Sequence, residues 1–89
     1  MKKKYRIRVV CSLPGSADEF ITHHDLNDDE QYEYTTIRWD TLKKHEMNKV
    51  RIYEEEQALT IMSDLQAQED QMPHPDYVYK YIAEPVYIL

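Results

Sequence analysis

Three stretches of the chain carry residue types that could do chemistry. The first is His23-His24-Asp25, which invites a metal reading. Alternation over residues 19–26 predicts a strand, and neighbouring side chains on a strand leave opposite faces. His23 and His24 therefore cannot grip one ion. His23 with Asp25 could, but two ligands are too few, and His45 and His74 fall in segments with no clear element. The second stretch, Asp25-x-Asn27-x-Asp29, matches the first three ligand positions of an EF-hand loop. Glu30 then stands where that loop needs glycine, and Thr36 where it needs a bidentate glutamate. An acidic turn is the better reading, and no metal is expected.

The third stretch is the tyrosine series Tyr77, Tyr79 and Tyr81. On a strand these side chains share one face. Such a strip could stack nucleobases, line a protein interface, or bury its rings in a core while wetting its hydroxyls. Elsewhere the nucleophile and phosphate-loop classes are excluded. Gly15 is the one glycine, so no glycine-rich phosphate loop exists. Cys11 is the one cysteine, on the inward parity of a strand, and reads as a small buried hydrophobe rather than a nucleophile. No acid–base pair is marked by an apolar surround. No cofactor and no catalytic residue are expected, so the chain is not predicted to be an enzyme.

Charge separates along the sequence. The net charge is −6 over 89 residues. Residues 1–10 carry +5, 11–35 carry −7, 36–52 carry +3 and 53–89 carry −7. Complementary strands joined by weak surface ion pairs would explain this. So would an acidic surface aimed at a basic partner. Asp28, Asp29 and Glu30 in the turn, and Glu54, Glu55 and Glu56 together, form the two densest acidic clusters. The basic segments 2–8 and 38–51 keep nucleic-acid binding as the alternative, against an acidic total that phosphates disfavour.

The elements that must position these residues follow from periodicity. Residues 54–70 form the clearest helix: Ala58, Ile61, Met62 and Leu65 fall at i, i+3, i+4 and i+7, and Leu59 widens the face. Its acidic first turn suits the positive end of the helix dipole, and Pro73 and Pro75 stop the pattern. Residues 4–13 alternate as a half-buried strand with Tyr5, Ile7, Val9, Cys11 and Leu13 inward. Pro14-Gly15 has turn chemistry. Residues 19–26 place Phe20, Thr22, His24 and Leu26 on one face. Residues 31–39 form a third strand whose phase slips, which predicts a bulge near Thr35-Thr36. Asp40 begins a short helical turn through Met47, and residues 49–53 a brief strand with Val50 and Ile52 on one face. Residues 76–89 form the last strand, apolar on both parities; Pro85 confines its second half to an edge or a bulge.

These elements predict one α+β domain over residues 1–89. An antiparallel sheet, a β-meander plus a C-terminal strand, carries one main helix on one face. Leu59, Ile61, Met62 and Leu65 are expected to bury against Ile7, Val9 and either Ile82 or Val78. The basic start lacks the apolar run of a signal peptide, and no stretch is long enough to span a membrane. A reducing, cytoplasmic setting suits a lone cysteine. The expected function is a non-catalytic interaction protein whose acidic, tyrosine-bearing surface engages a basic site on another protein. A phage or mobile-element accessory protein, or an inhibitor that mimics nucleic-acid charge, would fit. An uncovered last strand predicts a homodimer.

Overall fold

The computed structural model describes residues 2–26, 28–29, 32–38 and 49–88. They form strand β1 (Lys2–Cys11), strand β2 (Glu19–Leu26), strand β3 (Tyr32–Arg38), helix α1 (Glu55–Gln71) and strand β4 (Tyr79–Ile88). The sheet is antiparallel, in the order β3-β2-β1-β4, and α1 packs on one face of it. This is the expected α+β architecture. The helical turn expected at residues 40–47 lies outside the described residues.

Local chemistry sets most boundaries. The Ser16 N–H donates to the Leu13 carbonyl at 3.2 Å, and Gly15 has φ 79°. A type II turn requires that left-handed value at its third position, and proline presets the second. At the start of α1, Glu54 is extended and its carbonyl accepts from the Ala58 N–H at 2.9 Å. Its carboxylate pairs with the Lys4 ammonium instead of capping the helix. At the other end Met72 leaves the helical conformation just before Pro73.

The β1–β4 register decides which face of β4 is buried. Val9 pairs with Tyr81, Ile7 with Ala83 and Arg6 with Glu84. Paired residues share a face, so the apolar parity of β1 brings the tyrosine parity of β4 under the helix. The core is Tyr5, Ile7, Val9, Ile21, Tyr53, Ala58, Ile61, Leu65 and Tyr81, with Met62, Tyr79 and Ala83 at its margin. Three expectations are corrected here. Leu59 is 44% exposed, because it lies beyond the stripe that faces the sheet. Ile82 is 38% exposed, and Val78, just before β4, is exposed too. The Arg6–Glu84 and Arg8–Glu84 ion pairs on the opposite face hold β4 in the register that turns Ile82 away from α1.

The bulge lies in β2 rather than in β3. The ladder steps from Ile21 opposite Thr36 to His23 opposite Thr35, leaving Thr22 as the extra residue. An extra residue reverses the alternation. Ile21 and His24 therefore both face the helix side, and Phe20 faces away, so Phe20 and His24 do not share a face as expected. Tyr34 and Ile37 lie on opposite faces of an unbulged β3. Phe20 is fully buried on the far face of the sheet. The Arg6 and Arg8 guanidiniums lie 4.4 and 5.2 Å from its ring centre, and bond to Glu84 and Asp18.

Residues 51–53 fill a gap between β1 and β2. These strands pair directly at Arg8–Phe20 and Val9–Glu19. Further along, Tyr5 and Tyr53 exchange backbone bonds of 2.9 and 2.7 Å, and the Arg51 N–H reaches the Ile21 carbonyl at 3.0 Å. The expected brief strand is thus a single bridge at Tyr53. Val50 is buried while Ile52 is largely exposed, so the two do not share a buried face.

The outer edge of β4 is covered by α1. Because the backbone of Tyr5 is engaged by Tyr53, the Tyr5–Pro85 pair exchanges no ladder bond, and the proline nitrogen faces outward at no cost. The same phase turns the N–H and C=O groups of Tyr79, Tyr81 and Ala83 outward. There the Gln66 amide donates to the Tyr79 carbonyl and accepts from the Tyr81 N–H, each at 3.2 Å. The Met62 sulfur accepts from the Ala83 N–H at 3.2 Å. The homodimer expectation rested on a bare edge; these contacts remove that premise for the stretch from Tyr79 to Ala83.

Candidate interaction surface

The tyrosine series does not form an exposed strip. Tyr81 lies in the core, 7% exposed, with its hydroxyl 2.7 Å from that of Tyr34. Burial, and then the bond to Tyr34, holds its phenol above the ordinary range. Tyr79 is half-buried, and burial pushes its pKa up to about 12. Tyr77 stacks on His74 at 4.4 Å, and both rings meet Tyr79 edge-on. His74 also bonds to Glu69 at 2.7 Å. The core reading of these tyrosines is therefore the right one for Tyr81. Tyr77 and Tyr79 reach a second surface, a groove of about 370 Å³ lined also by Cys11, Ser16, Glu19 and Arg38.

The acidic clusters are differently placed. Glu54, Glu55 and Glu56 are exposed at the start of α1, and Asp28 and Asp29 are exposed in the β2–β3 turn. Glu30 lies outside the described residues. Tyr53 ties these regions together. Its backbone bridges Tyr5, its hydroxyl lies 2.8 Å from His24 Nδ1, and α1 begins two residues later. The helix start and the end of β2 that leads into the turn therefore lie at the same end of the sheet.

Between them runs a groove of about 570 Å³ lined by His24, Glu56, Gln57, Thr60 and Ile61. It exists because α1 lies along β1 and β4, which leaves room beside β2. His24 is held below the ordinary imidazole range by burial, and next by the Arg51 charge. Its neutral ring and the Tyr53 hydroxyl can share a proton in either sense. The groove thus offers one carboxylate, neutral polar groups and an apolar base. Sequence pattern weighed His24 only as a metal ligand and passed over Gln57 and Thr60; the approach of His24 to them depends on the Thr22 bulge.

Three cations of the first basic segment are paired within the fold, and residues 39–48 of the second segment lie outside the described residues. Lys4 pairs with Glu54, Arg6 with Glu84, and Arg8 with Glu84 and Asp18. Among the described residues no three His, Cys, Asp or Glu side chains converge on one point, and no helix is long and apolar enough to cross a membrane. Comparison with protein-family models, curated proteins and solved structures returned no match.

Proposed function

We propose that the chain is a non-catalytic interaction protein that receives a basic segment of another protein in the groove between α1 and β2. The supporting observation is the groove lining: Glu56 at the wall, Gln57 and Thr60 as hydrogen-bond partners, and Ile61 at the base. A lysine or arginine stem packs on apolar surface while its charged head seeks a carboxylate. Exposed Glu55, Asp28 and Asp29 at the same end add a field that speeds encounter with a cation. The acidic clusters carry over from the sequence; Tyr81 drops out of the contact surface because it is buried. Nucleic acid is the weaker reading, since Lys4, Arg6 and Arg8 already have carboxylate partners.

The test begins with affinity capture from the native host and mass spectrometry. Association rates of the captured partner are then measured across a salt series. The triple variant Glu55→Lys, Glu56→Lys, Asp28→Lys should slow association far more than it lowers stability, and salt should slow the wild type. Rates that ignore both salt and the triple variant eliminate the acidic groove. Tight, salt-sensitive binding of the wild type to random DNA instead favours the nucleic-acid alternative.

A further inference from the structure

We infer that the outer edge of β4 is a strand-addition site for the β4 of a second copy, held closed by Gln66 and Met62. A bare edge presents a row of backbone donors and acceptors that templates another strand. The outward-facing residues of β4 are Tyr79, Tyr81, Ala83, Pro85 and Tyr87, as the unbonded Tyr5–Pro85 pair requires. An antiparallel twofold pairing centred on Tyr81 sets Tyr79 opposite Ala83 of the other copy. That register keeps Pro85, which has no N–H, away from the central pairs. All six central backbone groups of each strand are then used.

Half of those six groups are the ones α1 occupies. Gln66 supplies a donor to the Tyr79 carbonyl and an acceptor to the Tyr81 N–H, which is what a neighbouring peptide unit would supply. Met62 covers the Ala83 N–H one helical turn earlier. The i, i+4 spacing of Met62 and Gln66 places both on the side of α1 that overhangs the edge. Neither residue belongs to the fully buried stripe of Ala58, Ile61 and Leu65. Their polar or polarisable ends serve the edge more than the core.

The decisive variant is Met62→Leu with Gln66→Ala, which keeps apolar volume at position 62 and removes both caps. Sedimentation equilibrium should give a monomer for the wild type up to high micromolar concentration and a dimer for the double variant. Adding Ala83→Pro to the double variant removes a central donor and should restore the monomer. In dilute, monomeric double variant, the Tyr81 amide should exchange with solvent about tenfold faster than in the wild type, the scale of one net hydrogen bond. Should the double variant fold poorly, Gln66→Glu serves: its carboxylate accepts from Tyr81 but cannot donate to Tyr79, and it should dimerise at concentrations where the wild type stays monomeric. A double variant that stays monomeric overturns the inference. So does a wild type that dimerises through β4, or a variant dimer that Ala83→Pro leaves intact.

Discussion

The hydroxyls of Tyr34 and Tyr81 lie 2.7 Å apart, although β3 and β4 are the two opposite edges of the sheet. The rings meet edge-to-face with centres 5.8 Å apart. Two long side chains lying flat on the helix side reach across β2 and β1 and join the margins of the fold. An aliphatic side chain at either position would be too short to close that span and would lack the hydroxyl.

Removing one hydroxyl should therefore cost more than removing the second. Tyr34→Phe and Tyr81→Phe should each destabilise by about 1 kcal/mol, the net value of a hydrogen bond. The double variant should lose less than the sum, with a coupling of about 0.5–1 kcal/mol. Urea midpoints of the four proteins measure this; strictly additive losses would show that the two hydroxyls do not interact.

Stability should fall at both ends of the pH scale, for different groups. Unfolded phenols ionise near pH 10, whereas folded Tyr79 ionises near 12 and Tyr81 is also raised. Above pH 10 the unfolded chain has released protons that the native chain retains, so stability declines as pH rises. On the acid side, His24 is lowered from 6.5. Below that pH the unfolded imidazole binds a proton that the folded one resists, so stability declines as pH falls. Chemical denaturation across pH should show both slopes, and His24→Gln should flatten the part of the acid slope that begins near 6.5.

Two leucines on one helix should respond very differently. Leu65 is 1% exposed and Leu59 is 44% exposed. Leu65→Ala should cost about 2–4 kcal/mol, the range for a buried leucine. Leu59→Ala should stay within about 0.5 kcal/mol of the wild type, as surface changes do. Equal losses in denaturant unfolding would mean that α1 is rotated about its axis.

Phe20 stands outside the main core and should still be one of its costliest neighbours. Its ring is fully buried beside the Arg6 and Arg8 guanidiniums. Phe20→Ala should cost about 3–5 kcal/mol, and should also loosen the Arg6–Glu84 and Arg8–Glu84 pairs that fix the β1–β4 register. Thermal melts with amide exchange along β4 would detect both; a loss below 1 kcal/mol would show that the guanidiniums do not depend on the ring.

The α+β class, the helix and the four strands were legible in the sequence by itself, but β1 begins and ends two residues earlier than its alternation suggests, β4 is shorter at both ends, and the strand expected at residues 49–53 is one bridge. Helical spacing of Ala58, Ile61 and Leu65 set α1 to within a residue at each end, and period-two alternation set β2 to its full length. The Pro14-Gly15 turn was legible because a left-handed φ at that place all but demands glycine. Tertiary structure alone decided which parity of β4 faces the helix, because both parities are apolar and only pairing with β1 breaks the tie. It also decided the site. A single extra residue at Thr22 reverses the alternation of β2 and brings His24 to the groove beside Glu56. Such a bulge is specified by the partner strand, not by the local pattern. The caps on β4 were invisible for the same reason: Gln66 reads as a solvated helix position until the strand beside it is in place.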